Sequence, residues 1–430
     1  MTNMRTNQKD SLLHINSERL WSRHMEMAKI GTIDGTGSCR LALSDEDSRA
    51  RKLFAGWCET AGLTLSSDRA GNMFAVRKGS NAAQQIVAAG SHLDTQPHGG
   101  RFDGISGVLA ALEVIETLND AGIVTEAPLA VVNWTNEEGV RFAPGLLGST
   151  WFAGAISDNT LDAIRAPDGA TFKEEVTRSG WRGAQERADF QMDSFFELHI
   201  EQGPILERAG VPVGVVTSVQ GLCWLDVAIT GTDAHAGTTP LDARQDALLA
   251  AAAMLVDLNA LGQKTGPDAR VSVGRLRSAT DGPSTISGHT ELVIDIRHPE
   301  QKTLSELSLR CAETCREVAA RYNCGVEISL RLEVPPREFD ADCVAHVEAA
   351  ARKLDLSYLR LPSGALHDAS NIAPLAPTAM IFVACKNGVS HNVNEYASPE
   401  DLAAGCNVLL HCMLGRAGIA KSKLESNQAA

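Results

Sequence analysis

The sequence predicts an α/β protein in which a mainly parallel-sheet domain carries an inserted, smaller α+β domain of β-α-β-β-α-β order. Three observations point there. In the first half, short apolar runs alternate with helix-length segments, as strands joined by helical crossovers do. From residue 214 to 332 the pattern changes to alternating apolar and polar strands around two long helical stretches. The chain then returns to a helix and an apolar strand, and its 430 residues, 44% hydrophobic, suffice for two cores. The expected boundaries are 1-213 and 333-430 for the larger domain and 214-332 for the smaller.

Taken in order, "NMFAVRKG" and "QIVAAG" read as strands, "ISGVLAALEVIETLNDAG" as a helix capped at Gly122, and "PLAVVNWT" as the next strand. Strand, helix, strand implies a right-handed crossover and parallel pairing. The polar region from about 155 to 190 reads as surface helix and loop. In the smaller domain "LCWLDVAIT", "ARVSVGRL", "TELVIDIR" and "VEISLRL" alternate, while "PLDARQDALLAAAAMLVDL" and "TLSELSLRCAETCREVAARY" are helical. That order suits an open-faced sandwich. "DCVAHVEAAARKL" then reads as a helix, "PTAMIFVAC" as a strand, and the tail "KSKLESNQAA" as frayed.

Composition excludes several partners. A formal net charge of −14, with no cluster of Lys and Arg, argues against nucleic acid or an anionic membrane surface. The N-terminus lacks the apolar core of a signal peptide, and no apolar stretch reaches the roughly 18 residues of a membrane span, so a cytoplasmic location is expected. The ten cysteines are scattered without a CxxC pair and are expected to be reduced. Cys311 and Cys315 share a helical face and should pack in a core.

The residues able to do chemistry fall at the ends of the predicted strands. His92 follows "QIVAAG", Glu137 and Glu138 follow "PLAVVNWT", His199 ends "SFFELH", and His391 follows "PTAMIFVACKNGVS". Open α/β sheets build their sites at such carboxyl ends. One histidine so placed would ordinarily be structural; this convergence argues for a metal. Imidazole and carboxylate donors suit Zn²⁺, Mn²⁺, Co²⁺ or Ni²⁺, and Asp103, in "GSHLDTQPHGGRFDG", is short enough to bridge two ions.

Those segments, with "TNEEGVRF", "ELHIEQGPILE", "GTDAHAGTTPLDARQDA", "GALHDA" and "GVSHNVNEYASPEDLAAG", resemble the M20-type metallopeptidase superfamily from about residue 15 to 418. Within it they resemble the branch of N-carbamoyl-L-amino-acid amidohydrolases, β-ureidopropionases and allantoate amidohydrolases. "HIEQGP" marks the branch, because peptidase branches usually carry a carboxylate where this chain has His199. The resemblance implies a di-metal catalytic domain and a lid/dimerisation domain, with two divalent ions per subunit. His92 and His199 would hold one ion, Glu138 and His391 the other, and Asp103 would bridge. Asp94 would accept the other ring N–H of His92 and fix its tautomer. Glu137 would be the general base, taking a proton from the attacking water and handing it to the leaving nitrogen. His235 would donate to the developing oxyanion, Arg297 would grip a substrate carboxylate, and Gln202 would contact the polar end of the substrate. In such relatives, lid residues complete the site of a partner subunit, which implies a homodimer.

Two positions depart from the pattern. Ser284, in "STISG", stands where the branch usually has an Asn, and Leu366, in "GALHDA", where a Gly is common. His367 and Asp368 beside it could touch the site or buttress it. The resulting expectation is a binuclear amidohydrolase releasing the amino acid, CO₂ and ammonia from small-molecule N-carbamoyl-L-amino acids. Allantoate or ureidoglycolate hydrolysis is the alternative, since those ureido acids offer the same urea-type carbonyl and carboxylate. N-acyl amino acid or dipeptide hydrolysis would be favoured if Ser284 enlarges the pocket. A non-catalytic binding protein would require loss of a ligand or of the base, and all are present.

Overall fold

The computed structural model describes residues 12–420, so the tail expected to fray lies outside the described residues. In chain order the strands are β1 (Thr64–Ser67), β2 (Met73–Arg77), β3 (Ile86–His92), β4 (Leu129–Trp134), β5 (Met192–Ile200) and β6 (Val213–Val219). There follow β7 (Gly221–Thr230), β8 (Ala234–His235), β9 (Arg270–Ser278), β10 (Thr285–Ile286), β11 (His289–His298), β12 (Gly325–Val334) and β13 (Arg337–Glu338). The last two are β14 (Tyr358–Ser363) and β15 (Thr378–Val383). The chain divides into two compact units. The first comprises residues up to Thr217, Phe339–Leu361 and Leu366 onward; the second comprises Ser218–Glu338 and Pro362–Ala365.

The sheet of the first unit runs β1-β2-β4-β3-β5-β15-β6, with β14 beside β6. Its centre, β4-β3-β5-β15, is parallel, whereas β1 and β2 on one side and β6 on the other pair antiparallel. Every residue of β4 and β15 is buried, as in a sheet covered on both faces. The helix Ile105–Asp120 makes the crossover from β3 to β4 and packs with the helix Pro399–Ala417 against β3 and β5. Because the four central strands point the same way, their carboxyl ends gather along one edge. The polar stretch before β5 forms short helices at Asp158–Ala163 and Phe172–Arg178 and a 3-10 turn at Arg187–Asp189.

In the second unit, an antiparallel sheet of order β12-β7-β11-β9 is covered by the helices Ala247–Thr265 and Gln301–Arg321. Inward residues such as Ile229, Met254, Ile294, Cys311, Cys315 and Val318 form its core. The expected strand–helix alternation is present, with a short β8–β10 ribbon added. All ten cysteines are free. Among the described residues, no helix is long and apolar enough to cross a membrane.

Candidate metal centre

Two groups of potential ligands meet at the carboxyl edge of the first unit's sheet. His92, Asp103 and His199 form one; Asp103, Glu138 and His391 form the other; in each, the candidate ligand atoms lie within 4.8 Å of one another. The final residue of β3 is His92, whose Nδ1–H donates to the Asp94 carbonyl at 2.9 Å. Its Nε2 faces Asp103 Oδ1 at 3.7 Å and Glu137 Oε2 at 3.5 Å. On β5, His199 donates Nδ1–H to the Ile200 carbonyl at 2.9 Å and sets Nε2 3.0 Å from Asp103 Oδ1. The other Asp103 oxygen lies 3.3 Å from Nε2 of His391, which is 3.5 Å from Glu138 Oε2. A backbone carbonyl thus fixes the tautomer of His92 and of His199, and each presents Nε2 to the same carboxylate.

Local backbone makes this convergence possible. Gly104 adopts φ +70, and a Cβ there would come within 2.3 Å of the His92 ring, so only glycine lets the Asp103 turn lie against that histidine. Left-handed backbone at Asn136 (φ 59) and His391 (φ 53) turns the chain sharply before Glu137 and at the half-exposed His391.

Asp94 accepts the ring N–H of His92, as expected, and does so through its backbone. Its carbonyl, not its carboxylate, holds His92, because the ring folds back onto the backbone two residues on and leaves the nearest carboxylate oxygen 4.0 Å from Nδ1. The carboxylate instead accepts the backbone N–H groups of Glu137 at 3.3 Å and Glu138 at 3.2 Å, setting the turn that carries both glutamates. Gln202 reaches the same group. Its side-chain amide donates to Asp103 Oδ2 at 2.8 Å and to Ser390 Oγ at 3.2 Å, so it touches a candidate ligand directly.

The donor set suits divalent cations. Among the described residues, the ion-pair partners of Asp103, Glu137 and Glu138 are histidines alone. Burial, then the charge of Asp103, raises Glu138 to about 8. Burial, then Glu138, Asp368 and Asp103, holds Glu137 well above the usual carboxylate range. Burial opposes the charged form of His199, yet its bond to Asp103 lifts it to about 9. Asp103 is itself held well below its usual value: burial opposes this, but the hydrogen bonds from His199 and His391 prevail. Buried imidazoles and mutually repelling carboxylates of this kind call for positive charge between them.

Four contributors were not read from the sequence. Gln96 binds Glu138 through its backbone N–H at 3.1 Å and its side-chain amide at 2.6 Å. Ser390 and Glu395 lie beside Asp103. Glu197, buried behind the site, accepts Ser91 Oγ–H at 2.6 Å and Ala369 N–H at 2.8 Å. The last was detectable, since it stands two residues before His199 on the same face of β5. His367 and Asp368, left open by the sequence, form the backing: the His367 ring stacks edge-on against His199 at 4.5 Å, and Asp368 accepts from Ser149 Oγ.

His235, Ser284 and Arg297 belong to the second unit. Nδ1 of the exposed His235 accepts the backbone N–H groups of Gly237 and Thr238 at 3.1 and 3.2 Å, which puts the ring proton on Nε2. Ser284 lies across the ribbon, its carbonyl accepting Ala236 N–H at 2.8 Å. Arg297 spends its Nε and Nη2 on Asp295, at 2.9 and 3.0 Å, and gives Nη1 to the Gly364 carbonyl at 2.8 Å. The side-on fork is therefore taken by its own neighbour on β11.

A largely parallel sheet with these ligand groups at its carboxyl edge matches a known class. The chain belongs to peptidase family M20/M25/M40, a hydrolase family dependent on metal, whose profile matches residues 88–415. Its relatives include the N-carbamoyl-L-amino-acid amidohydrolase of Rhizobium meliloti, 43% identical over 405 residues, which cover 94% of this chain and 97% of the relative. The solved structure of an amidase of the hydantoinase/carbamoylase family from Burkholderia multivorans superposes with a TM-score of 0.90 at 42% identity, over 94% of this chain and 98% of that one. The ureidoglycolate hydrolase of Oryza sativa subsp. japonica is 33% identical over 414 residues, covering 94% and 85% of the two chains.

Proposed function

We propose that the protein is a metal-dependent amidohydrolase that, with one water, converts N-carbamoyl-L-amino acids to the amino acid, carbon dioxide and ammonia. The observation that carries the chemistry is Asp103, shared by two three-residue donor groups with Glu137 alongside. The likeness to the Rhizobium meliloti enzyme supports the substrate class. Divalent cations held by these groups, when bound, supply Lewis-acid polarisation of water and of the substrate carbonyl. Ligand chemistry is compatible with two ions per subunit, drawn from Zn²⁺, Mn²⁺, Co²⁺ or Ni²⁺.

Glu137 takes the proton of the attacking water and delivers it to the leaving nitrogen. Asp94 keeps Glu137 and Glu138 in place through their amides. His235, with its proton on Nε2, is the donor for the oxyanion. Arg297 receives the substrate carboxylate on the two N–H groups that Asp295 and the Gly364 carbonyl leave free, Gln202 the polar end, and Ser284 offers a hydroxyl in place of an amide. The first unit is then the catalytic domain and the second the lid and dimerisation domain of a cytoplasmic homodimer.

A ureido-acid hydrolase is the second reading, favoured by the likeness to ureidoglycolate hydrolase. Ammonia release from N-carbamoyl-L-amino acids, ureidoglycolate and allantoate separates the two. We expect the carbamoyl amino acids to be the faster substrates, with turnover lost on chelation and restored by Mn²⁺, Co²⁺, Ni²⁺ or Zn²⁺. Faster turnover of a ureido acid would select the second reading. Full activity in metal-free protein would overturn both.

A further inference from the structure

The two donor groups are not anchored alike. His92 and His199 each rest on a backbone carbonyl. His391 has no such carbonyl partner among the described residues; its ring touches Gln202, Asp103 and Glu138. Something else must hold the second group together, and Glu395 is placed to do it. Its carboxylate is buried, with 1% of the residue exposed. Oε1 accepts the backbone N–H groups of both Phe102 and Asp103, each at 3.0 Å, and Oε2 is met by Ser390 Oγ at 3.1 Å. The same hydroxyl lies 3.0 Å from Asp103 Oδ2, the oxygen that faces His391. The segment before Asp103 is shaped to admit this carboxylate, since a Cβ on Gly100 would come within 2.2 Å of Glu395 Oε1.

We propose that Glu395 is a positioning residue for the second cation: it ties the Asp103 turn to the His391 loop and so sets the affinity of the Asp103–Glu138–His391 group. The proposal rests on the metal-site reading above. Glu395 is no ligand; it acts through Asp103 and, by way of Ser390, through the residue next to His391. A general structural role would weaken both cation sites together. A positioning role weakens one, because the other keeps its two carbonyl-anchored histidines.

Metal-free wild type and the variants Glu395→Ala, Glu395→Asp and Glu395→Gln are titrated with Mn²⁺ alone and with Zn²⁺ alone, by calorimetry with bound metal counted by elemental analysis. For Glu395→Ala we expect one bound equivalent to weaken by about 10- to 100-fold, the range for groups behind metal ligands, and the other by less than about threefold. Glu395→Gln keeps an oxygen acceptor for the two backbone N–H groups and should recover most of the affinity. Glu395→Asp, shorter by one methylene, should show the same selective loss, and it carries the test should Glu395→Ala not fold. Equal weakening of both equivalents, or of neither, overturns the role of Glu395 while leaving the metal site standing. Failure of the wild type itself to bind two equivalents overturns the proposed two-ion site.

Discussion

The two units hold their candidate groups in opposite ways. In the first, His92, Asp103 and His199 are buried, and their orientation is fixed by carbonyls, by amides and by the absence of a side chain at Gly104. In the second, His235 and Ser284 are exposed, and Arg297, partly exposed, is held by a neighbour two residues away. Metal ligands must be kept within fractions of an ångström, which only a packed and fully hydrogen-bonded surround can do. Groups that grip a substrate need the right chemistry at the surface and can be held locally. Changes to the packing around the ligands of the first unit should therefore disturb fold, metal and rate together, and changes at Arg297 in the second should disturb substrate binding alone.

Gly104→Ala is the harshest test of that contrast. It places a Cβ against the His92 ring at a left-handed backbone position. The left-handed penalty of about 1–2 kcal/mol and an overpacking cost of about 1–3 kcal/mol should together lower thermal stability clearly, with loss of bound metal in the same preparation. A variant as stable and as metal-loaded as wild type would show that the ligands do not depend on the packing around them. Arg297→Lys should have the smaller effect. Stability should change by less than about 0.5 kcal/mol and metal content not at all, while loss of a charge-assisted bond worth about 1.5–3 kcal/mol lowers kcat/KM roughly 10- to 150-fold, mainly through KM. Equal loss in kcat with KM unchanged would mean that Arg297 does not act in binding.

How far the sequence disclosed all this follows the same division. His92, Glu137, Glu138, His199 and His391 could be read because each closes or follows an apolar run whose period marks a strand. The pairing of Arg297 with Asp295 was also within reach, as residues i and i+2 share one face of a strand. The contact of Asp94 with His92 was legible too, but not its atom, because the choice of carbonyl or carboxylate depends on side-chain and backbone dihedrals that spacing does not encode. Glu395 reaches Asp103 across 292 residues and Gln96 reaches Glu138 across 42; only the fold brings them together. The antiparallel flanks of the central sheet were likewise hidden, since a single strand's pattern carries no direction.

Glu137 is proposed to move the proton while its neighbour Glu138 is a ligand, and Glu137→Gln separates the two roles. The substitution keeps the shape but removes the base. The value of kcat should fall by roughly 10² to 10⁴ while elemental analysis finds the wild-type complement of bound metal. Loss of metal from that variant, or wild-type turnover with the metal retained, would contradict it.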